Sequence, residues 1–71
     1  MTAQEFNILV GLRIRSIRES KELSQQDLAA KCNFEKSNMS RIEAGRTNLT
    51  LKTLFIISNA LSISAKELLD I

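Results

Sequence analysis

An all-α fold of five short helices is predicted by three features of the sequence. Apolar residues recur at spacings of three and four, the period of an amphipathic helix. No segment shows the alternation of apolar and polar residues that is typical of a half-buried strand. Ser, Thr and Asn residues stand where helices begin or turn, and they divide the chain into five segments. Because the chain has only 71 residues, we expect residues 1–71 to form one domain with a single core.

The first helix is expected to begin near Thr2, which lies at capping-box spacing from Glu5, and to end near Lys21. Its apolar residues share one face, which we expect to pack on the core: Phe6, Val10, Ile14 and Ile17.

The second helix is expected over about residues 25–32, because Ser24 can cap its N-terminus and Asp27 suits the first turn. Leu28, Ala29 and Cys32 form its inward face. Asn33 tolerates the left-handed backbone conformation that ends such a helix in a tight turn.

The third helix is expected over about residues 35–43, with Met39 and Ile42 inward and with Ala44 and Gly45 ending it. Thr50 caps a fourth helix over about residues 51–61, whose apolar stripe consists of Leu51, Leu54, Ile57 and Leu61. Ser64 caps a short fifth helix in which Leu68 points to the core.

The composition offers no basis for catalysis or metal binding. With no His and one Cys, the chain cannot assemble a Cys/His metal site or a Ser/His/Asp triad, so we expect neither an enzyme nor a cofactor. A small-molecule pocket of about 300 Å³ exceeds what so short a chain has room to build. A single thiol favours the cytoplasm, with Cys32 as a small buried hydrophobe. The longest uncharged apolar run, residues 54–57, is far shorter than the roughly 20 residues of a membrane span.

Positive charge collects in the middle of the chain, although the net charge is only +2. Residues 31–52 carry three more basic than acidic residues, since Lys31, Lys36, Arg41, Arg46 and Lys52 face only Glu35 and Glu43. Charge alone favours a solvated helix face over a nucleic-acid partner.

The second and third helices, about residues 24–43, have the pattern of a helix-turn-helix motif. Two helices that cross steeply approach closely only where the contact side chain is small, and Ala29 supplies that small side chain. The third helix would then present a polar outer face, with dimensions that suit the major groove of DNA.

Two segments that span this motif, Leu23–Ala29 and Met39–Arg46, resemble the Cro and phage-repressor family of transcriptional regulators, also called the XRE family. The resemblance extends over about residues 9–69, including the first-helix pattern Val10–Arg18, and implies a five-helix, lambda-repressor-like DNA-binding domain. Within the family, Arg46–Leu51 is most similar to the controller proteins of restriction-modification systems. This chain has Asn33 where the family usually has a turn glycine.

The resemblance implies three groups of functional residues. Base-reading residues would lie on the third helix: Lys36, Ser37, Asn38, Ser40 and Arg41. Phosphate contacts would come from the start of the second helix and the loop after the third: Ser24, Gln25, Arg46, Thr47 and Asn48. Arg18 and Glu43 would form a structural ion pair.

The C-terminal helices, about residues 51–69, are expected to dimerise. Phe55 and Ile56 lie off the predicted core face of the fourth helix and are expected to lack a partner within the chain. An interface would include Phe55, Ile56, Ile63, Leu69 and Ile71. The alternative is that Phe55 folds back over the small core.

Two functions follow. The first is a sequence-specific transcriptional regulator that reads an inverted-repeat operator in double-stranded DNA as a homodimer and blocks or recruits RNA polymerase. Autoregulation is compatible with this function. The second is a protein-interaction module, an antitoxin or adaptor, that binds a partner protein and for which DNA binding is secondary.

Overall fold

Five α-helices and no strands make up the computed structural model, which describes all of residues 1–71. The helices are α1 (Ala3–Ser20), α2 (Gln25–Cys32), α3 (Lys36–Glu43), α4 (Leu51–Ala60) and α5 (Ala65–Leu68). The predicted all-α class with five helices is therefore confirmed. None of the helices combines the length and the apolar character that crossing a bilayer requires.

Side-chain caps explain why four of the helices begin where they do. Thr2 and Glu5 form a capping box at the start of α1, and Ser24 and Asp27 form a second one at the start of α2. The hydroxyls of Thr50 and Ser64 accept backbone N–H groups at the starts of α4 and α5. The start of α3 has no such cap: Glu35 lies in extended conformation before the helix, which therefore begins one residue later than predicted.

The core consists of eleven buried apolar residues drawn from all five helices: Val10, Ile14, Leu28, Ala29, Cys32, Met39, Ile42, Leu54, Ile57, Leu61 and Leu68. Cys32 is free and buried as expected, and burial raises the pKa of its thiol, since the apolar surroundings disfavour the thiolate. The helices thus pack around one small core, with α3 held against both α1 and α2.

Two residues assigned to the core by spacing are exposed. Phe6 keeps 43% of its surface exposed, because the buried stripe of α1 is centred on Gly11, Ile14 and Arg18 and so lies to one side of it. Leu51 is 82% exposed. As the first residue of α4 it points back toward the helix N-terminus, beyond the end of the core.

Candidate nucleic-acid interface

The turn between α2 and α3 is built on Asn33 and Ala29. Asn33 adopts the left-handed conformation (φ 60°, ψ 39°), as its position in the sequence predicted. Ala29 is buried, and its carbonyl oxygen accepts the backbone N–H of Phe34 at 2.8 Å. The small side chain and the tight turn together set α3 across α2 as one unit.

The outer face of α3 is polar and exposed. Lys36 and Ser40 stand one helical turn apart, as do Ser37 and Arg41, and all four are exposed to solvent. The opposite face buries Met39, Ile42 and Glu43. Asn38 differs from the other candidates for base reading, because it is half-buried and lies one turn before the buried Ile42, at the edge of the exposed face.

The two cations on this face form no ion pair within the chain. The only salt bridges join Arg15, Arg18, Glu19 and Glu43, so the charges of Lys36 and Arg41 are left uncompensated. Arg46, in the loop that follows α3, is likewise exposed and without an ion pair. An anionic surface that met this segment would therefore not have to displace an internal partner.

Arg18 and Glu43 form a bidentate ion pair beneath α3. Arg18 Nε donates to Glu43 Oε2 at 2.7 Å, and Arg18 Nη2 donates to Glu43 Oε1 at 3.0 Å. Their side chains are only 9% and 3% exposed. A third bond, from Arg18 Nη1 to the carbonyl oxygen of Leu23 at 2.7 Å, ties the pair to the segment that leads into α2. The hydrogen bond to Glu43 raises the pKa of Arg18.

The same carboxylate holds one of the expected phosphate contacts. Gln25 Nε2 donates to Glu43 Oε1 at 3.0 Å, so the Gln25 side chain is directed to the ion pair and only half-exposed. Ser24 is exposed, and its hydroxyl accepts the backbone N–H of Asp27 at 2.9 Å. Both side chains thus have structural bonds at the N-terminus of α2, and each keeps a further donor hydrogen.

The loop after α3 is pressed against α1. Gly45 has a φ of 73°, and a Cβ atom placed on it would lie 2.5 Å from the Cα atom of Ile8. The next residues, Arg46, Thr47 and Asn48, border a polar notch whose other wall is Gln4 and Asn7 of α1. Neither Gln4 nor Asn7 was identified from the sequence, since polar residues near a helix start are normally only solvated.

The apolar residues expected at a dimer interface divide into two groups. Phe55 is 60% exposed and does not fold back over the core, and Leu69 and Ile71 are also exposed. Ile56 and Ile63 instead are half-buried and pack against the core cluster, so the expectation that Ile56 lacks a partner within the chain is wrong. Because the core is small, side chains that lie beside its most buried positions, such as Ile56 and Ile63, still contact it.

A second exposed apolar surface lies on the outer face of α1. Ile8, Leu9 and Leu12 follow helical spacing on the side away from Val10 and Ile14, and all three are exposed. The helical spacing of these three residues is present in the sequence, whereas the prediction for α1 covered only its core face.

Residues 14–68 match the helix-turn-helix family HTH_3. The control protein C.BamHI of Bacillus amyloliquefaciens is 41% identical over 64 residues, which cover 89% of this chain and 79% of that protein. The crystal structure of the restriction-modification controller protein C.AhdI from Aeromonas hydrophila is 33% identical, with a TM-score of 0.83 over 86% of this chain and 92% of that chain. SinR, a master regulator for biofilm formation crystallised in complex with DNA, is 37% identical, with a TM-score of 0.78 over 86% of this chain and 98% of that chain. The resemblance to regulators of the XRE type, and to controller proteins among them, is confirmed.

Proposed function

This chain belongs to the helix-turn-helix family (HTH_3) and is a DNA-binding transcriptional regulator rather than an enzyme, and we propose that it acts as a homodimer on an inverted-repeat operator. One observation carries the proposal. The exposed face of α3 holds two cations, Lys36 and Arg41, that have no ion-pair partner in the chain, while the opposite face of the helix is buried.

In this proposal α3 lies in the major groove. A helix with its side chains is about 10–12 Å across and the groove is about 12 Å wide, so the helix fits with its exposed face toward the base edges. Lys36 and Arg41 donate to guanine O6 and N7, and the hydroxyls of Ser37 and Ser40 contact bases or phosphates. Asn38 contributes only from the edge of the face, where its amide suits adenine.

Backbone contacts bracket the recognition helix. Arg46, Thr47 and Asn48 follow its C-terminal end, and Ser24 and Gln25 begin α2, so phosphates on both sides of the groove meet polar donors. The dipole of α2 adds a partial positive charge at Ser24 and Gln25. The hydrogen bond from Gln25 to Glu43 orients the Gln25 amide and leaves one of its N–H groups for a phosphate.

The homodimer forms through the C-terminal helices. Phe55, Leu69 and Ile71 are exposed there, and Leu51 stands one turn before Phe55 on the same face of α4, which adds it to the expected interface. Ile56 and Ile63 contribute only their outer atoms, since both also pack on the core. A two-fold axis through this surface places two recognition helices about 34 Å apart on one side of the duplex.

The similarity to C.BamHI and C.AhdI supports a role as the controller of a restriction-modification system. For such a regulator, the position of the operator decides whether the bound protein blocks RNA polymerase or recruits it. An operator in front of its own gene makes the regulation autoregulatory.

Substitution of the two unpaired cations tests the proposal. Lys36→Ala and Arg41→Ala each should weaken binding to the selected operator by about 1–3 kcal/mol, because each removes a contact to a base edge. Lys21→Ala, at an exposed lysine just after α1, is the matched control and should bind as the wild type does. Fluorescence anisotropy gives the affinities and circular dichroism checks the fold. Unchanged operator affinity in both α3 variants would contradict the proposed role of this helix.

A protein-interaction module is the second candidate, and the outer face of α1 favours it. Ile8, Leu9 and Leu12 are a second exposed apolar surface, which is typical of a site that contacts another protein. Under this alternative the α3 variants lose little function, whereas a charge on the outer face of α1 abolishes partner binding.

A further inference from the structure

No apolar side chain lines the notch between α1 and the loop after α3. Gln4 and Asn7 form one wall, the residues from Gly45 to Asn48 form the other, and the open space between them is about 240 Å³. The two walls meet at Gly45, where a Cβ atom would collide with the backbone of Ile8. The loop that is expected to meet the DNA backbone therefore forms one wall of the notch.

One hydrogen bond crosses the notch. Asn7 Nδ2 donates to Asn48 Oδ1 at 2.9 Å, joining residues 41 positions apart in the sequence. An asparagine amide has an acceptor side and a donor side. The oxygen of Asn48 accepts from Asn7, whereas its Nδ2 group takes no part in this bond and donates no hydrogen bond within the chain.

This orientation matters for an anionic partner. A phosphate oxygen accepts hydrogen bonds and cannot donate them, so it is attracted by the Nδ2 side of an amide and repelled by the Oδ1 side. An unrestrained amide at Asn48 would sample both orientations. The donor from Asn7 favours the one that suits a phosphate.

Other donors surround the same place. The backbone N–H groups of Thr47 and Asn48 donate to no other backbone group. Arg46 supplies a positive charge that no carboxylate of the chain neutralises. No acidic side chain lines the notch.

We infer that Asn7 is a positioning residue for DNA binding: it orients the Asn48 amide so that Asn48 donates to a backbone phosphate at the mouth of the notch. The inference rests on the proposed function, since the phosphate belongs to the operator duplex. It extends the DNA-contacting machinery from the helix-turn-helix to the first turns of α1.

A double-mutant cycle tests the inference. The dissociation constants of the wild type, Asn7→Ala, Asn48→Ala and the double variant are measured on one selected duplex by fluorescence anisotropy. We expect Asn48→Ala to bind about threefold to tenfold more weakly, the effect of one lost hydrogen bond. Asn7→Ala should bind about twofold more weakly, because a free amide presents its Nδ2 side in about half of its orientations. The double variant should bind no more weakly than Asn48→Ala, because Asn7 acts only through Asn48. The inference would be overturned if the fold-changes in dissociation constant of the two single variants multiplied in the double variant, or if Asn7→Ala bound with unchanged affinity.

A second readout separates positioning from a general structural role. Ethylation of individual phosphates should interfere with wild-type binding at one position that no longer interferes for Asn48→Ala and interferes less for Asn7→Ala. Interference of wild-type strength at that position in Asn7→Ala overturns the inference. Ser16→Ala, an exposed position of the same helix, is the control and should keep the wild-type pattern. Since Ala favours helix more than Asn does, Asn7→Ala should also unfold no more readily.

Failure of the proposed function gives a different result. If the wild type itself selects no duplex, the regulator proposal fails and the inference falls with it. If the wild type binds its duplex and only the predicted coupling is missing, the inference alone is wrong.

Discussion

A Cβ atom placed on Gly11 would lie 2.5 Å from the backbone carbonyl oxygen of Glu43 and 2.6 Å from that of Ile42. The middle of α1 and the C-terminal end of α3 are thus in direct backbone contact. Glu43 also accepts hydrogen bonds from Arg18 of α1, so two residues of α1 hold the C-terminal end of α3.

Gly11→Ala should therefore destabilise the protein although Ala favours helix by about 1 kcal/mol. Displacing a backbone carbonyl is an overpacking strain, and we expect the free energy of unfolding to fall by about 1–3 kcal/mol. Urea denaturation measures the change. Ser16→Ala, at an exposed position of the same helix, should be neutral or slightly stabilising, and equal stability of the two variants would contradict the contact.

The buried ion pair makes the second prediction. Arg18→Met should lower the free energy of unfolding by about 3–5 kcal/mol, because it leaves the carboxylate of Glu43 buried with only Gln25 as a donor. Arg18→Met combined with Glu43→Met should recover much of that loss, since no buried charge remains. Urea denaturation of the single and double variants tests both statements. A single-variant cost below about 1 kcal/mol would show that the pair behaves as an exposed one.

The two capping boxes make the stability of the fold depend on pH in the acidic range. Backbone N–H groups of Thr2 and Ser24 donate to Glu5 and Asp27, and these hydrogen bonds lower the pKa of each carboxyl below its ordinary value of 4.5 or 3.8. A carboxyl group whose pKa is lower in the folded than in the unfolded state stabilises the fold at pH values above its unfolded-state pKa. This contribution is lost as the pH falls through its folded-state pKa.

Thermal melts between pH 7 and pH 2 should consequently show a flatter decline below about pH 4.5 for the variant carrying Glu5→Gln and Asp27→Asn than for the wild type. The amides still accept the capping N–H groups but do not titrate. Parallel curves for the two proteins would mean that other carboxyl groups control the acid sensitivity.

The two exposed apolar surfaces predict different outcomes for oligomeric state. Phe55→Asp should give a folded monomer by sedimentation velocity, because Phe55 is 60% exposed and its replacement leaves the core intact. Leu12→Asp, at a residue that is 52% exposed on the outer face of α1, is the matched control and should remain dimeric. The reverse result would move the interface from the C-terminal helices to α1.

The sequence predicted the helices and the motif because local chemistry determines them. Ser24 with Asp27, Asn33 with φ 60°, and the buried Ala29 all act within a few residues of the chain. Local spacing places a side chain on a helix face and does not say where the neighbouring helix ends. Phe6 and Leu51 were for that reason wrongly assigned to the core.

The unpredicted features depend on contacts between residues far apart in sequence. Gly11 meets the end of α3, and Asn7 meets Asn48, through packing that no short-range pattern encodes. The bond from Gln25 to Glu43 is of the same kind. On α3 itself the structure separates Asn38 from Lys36 and Arg41, a distinction that follows from the angular position of each residue once the buried face is known.

Selection of duplexes from a random pool at about 0.15 M salt, where electrostatic attachment alone is weak, tests the central claim most directly. A homodimer that inserts α3 into successive major grooves should enrich an inverted repeat whose half-sites are about one helical turn, or 34 Å, apart. Lys36→Ala or Arg41→Ala should then relax the preference at defined base pairs within each half-site. Recovery of no enriched sequence, or of a sequence that the α3 variants select equally well, would contradict the account.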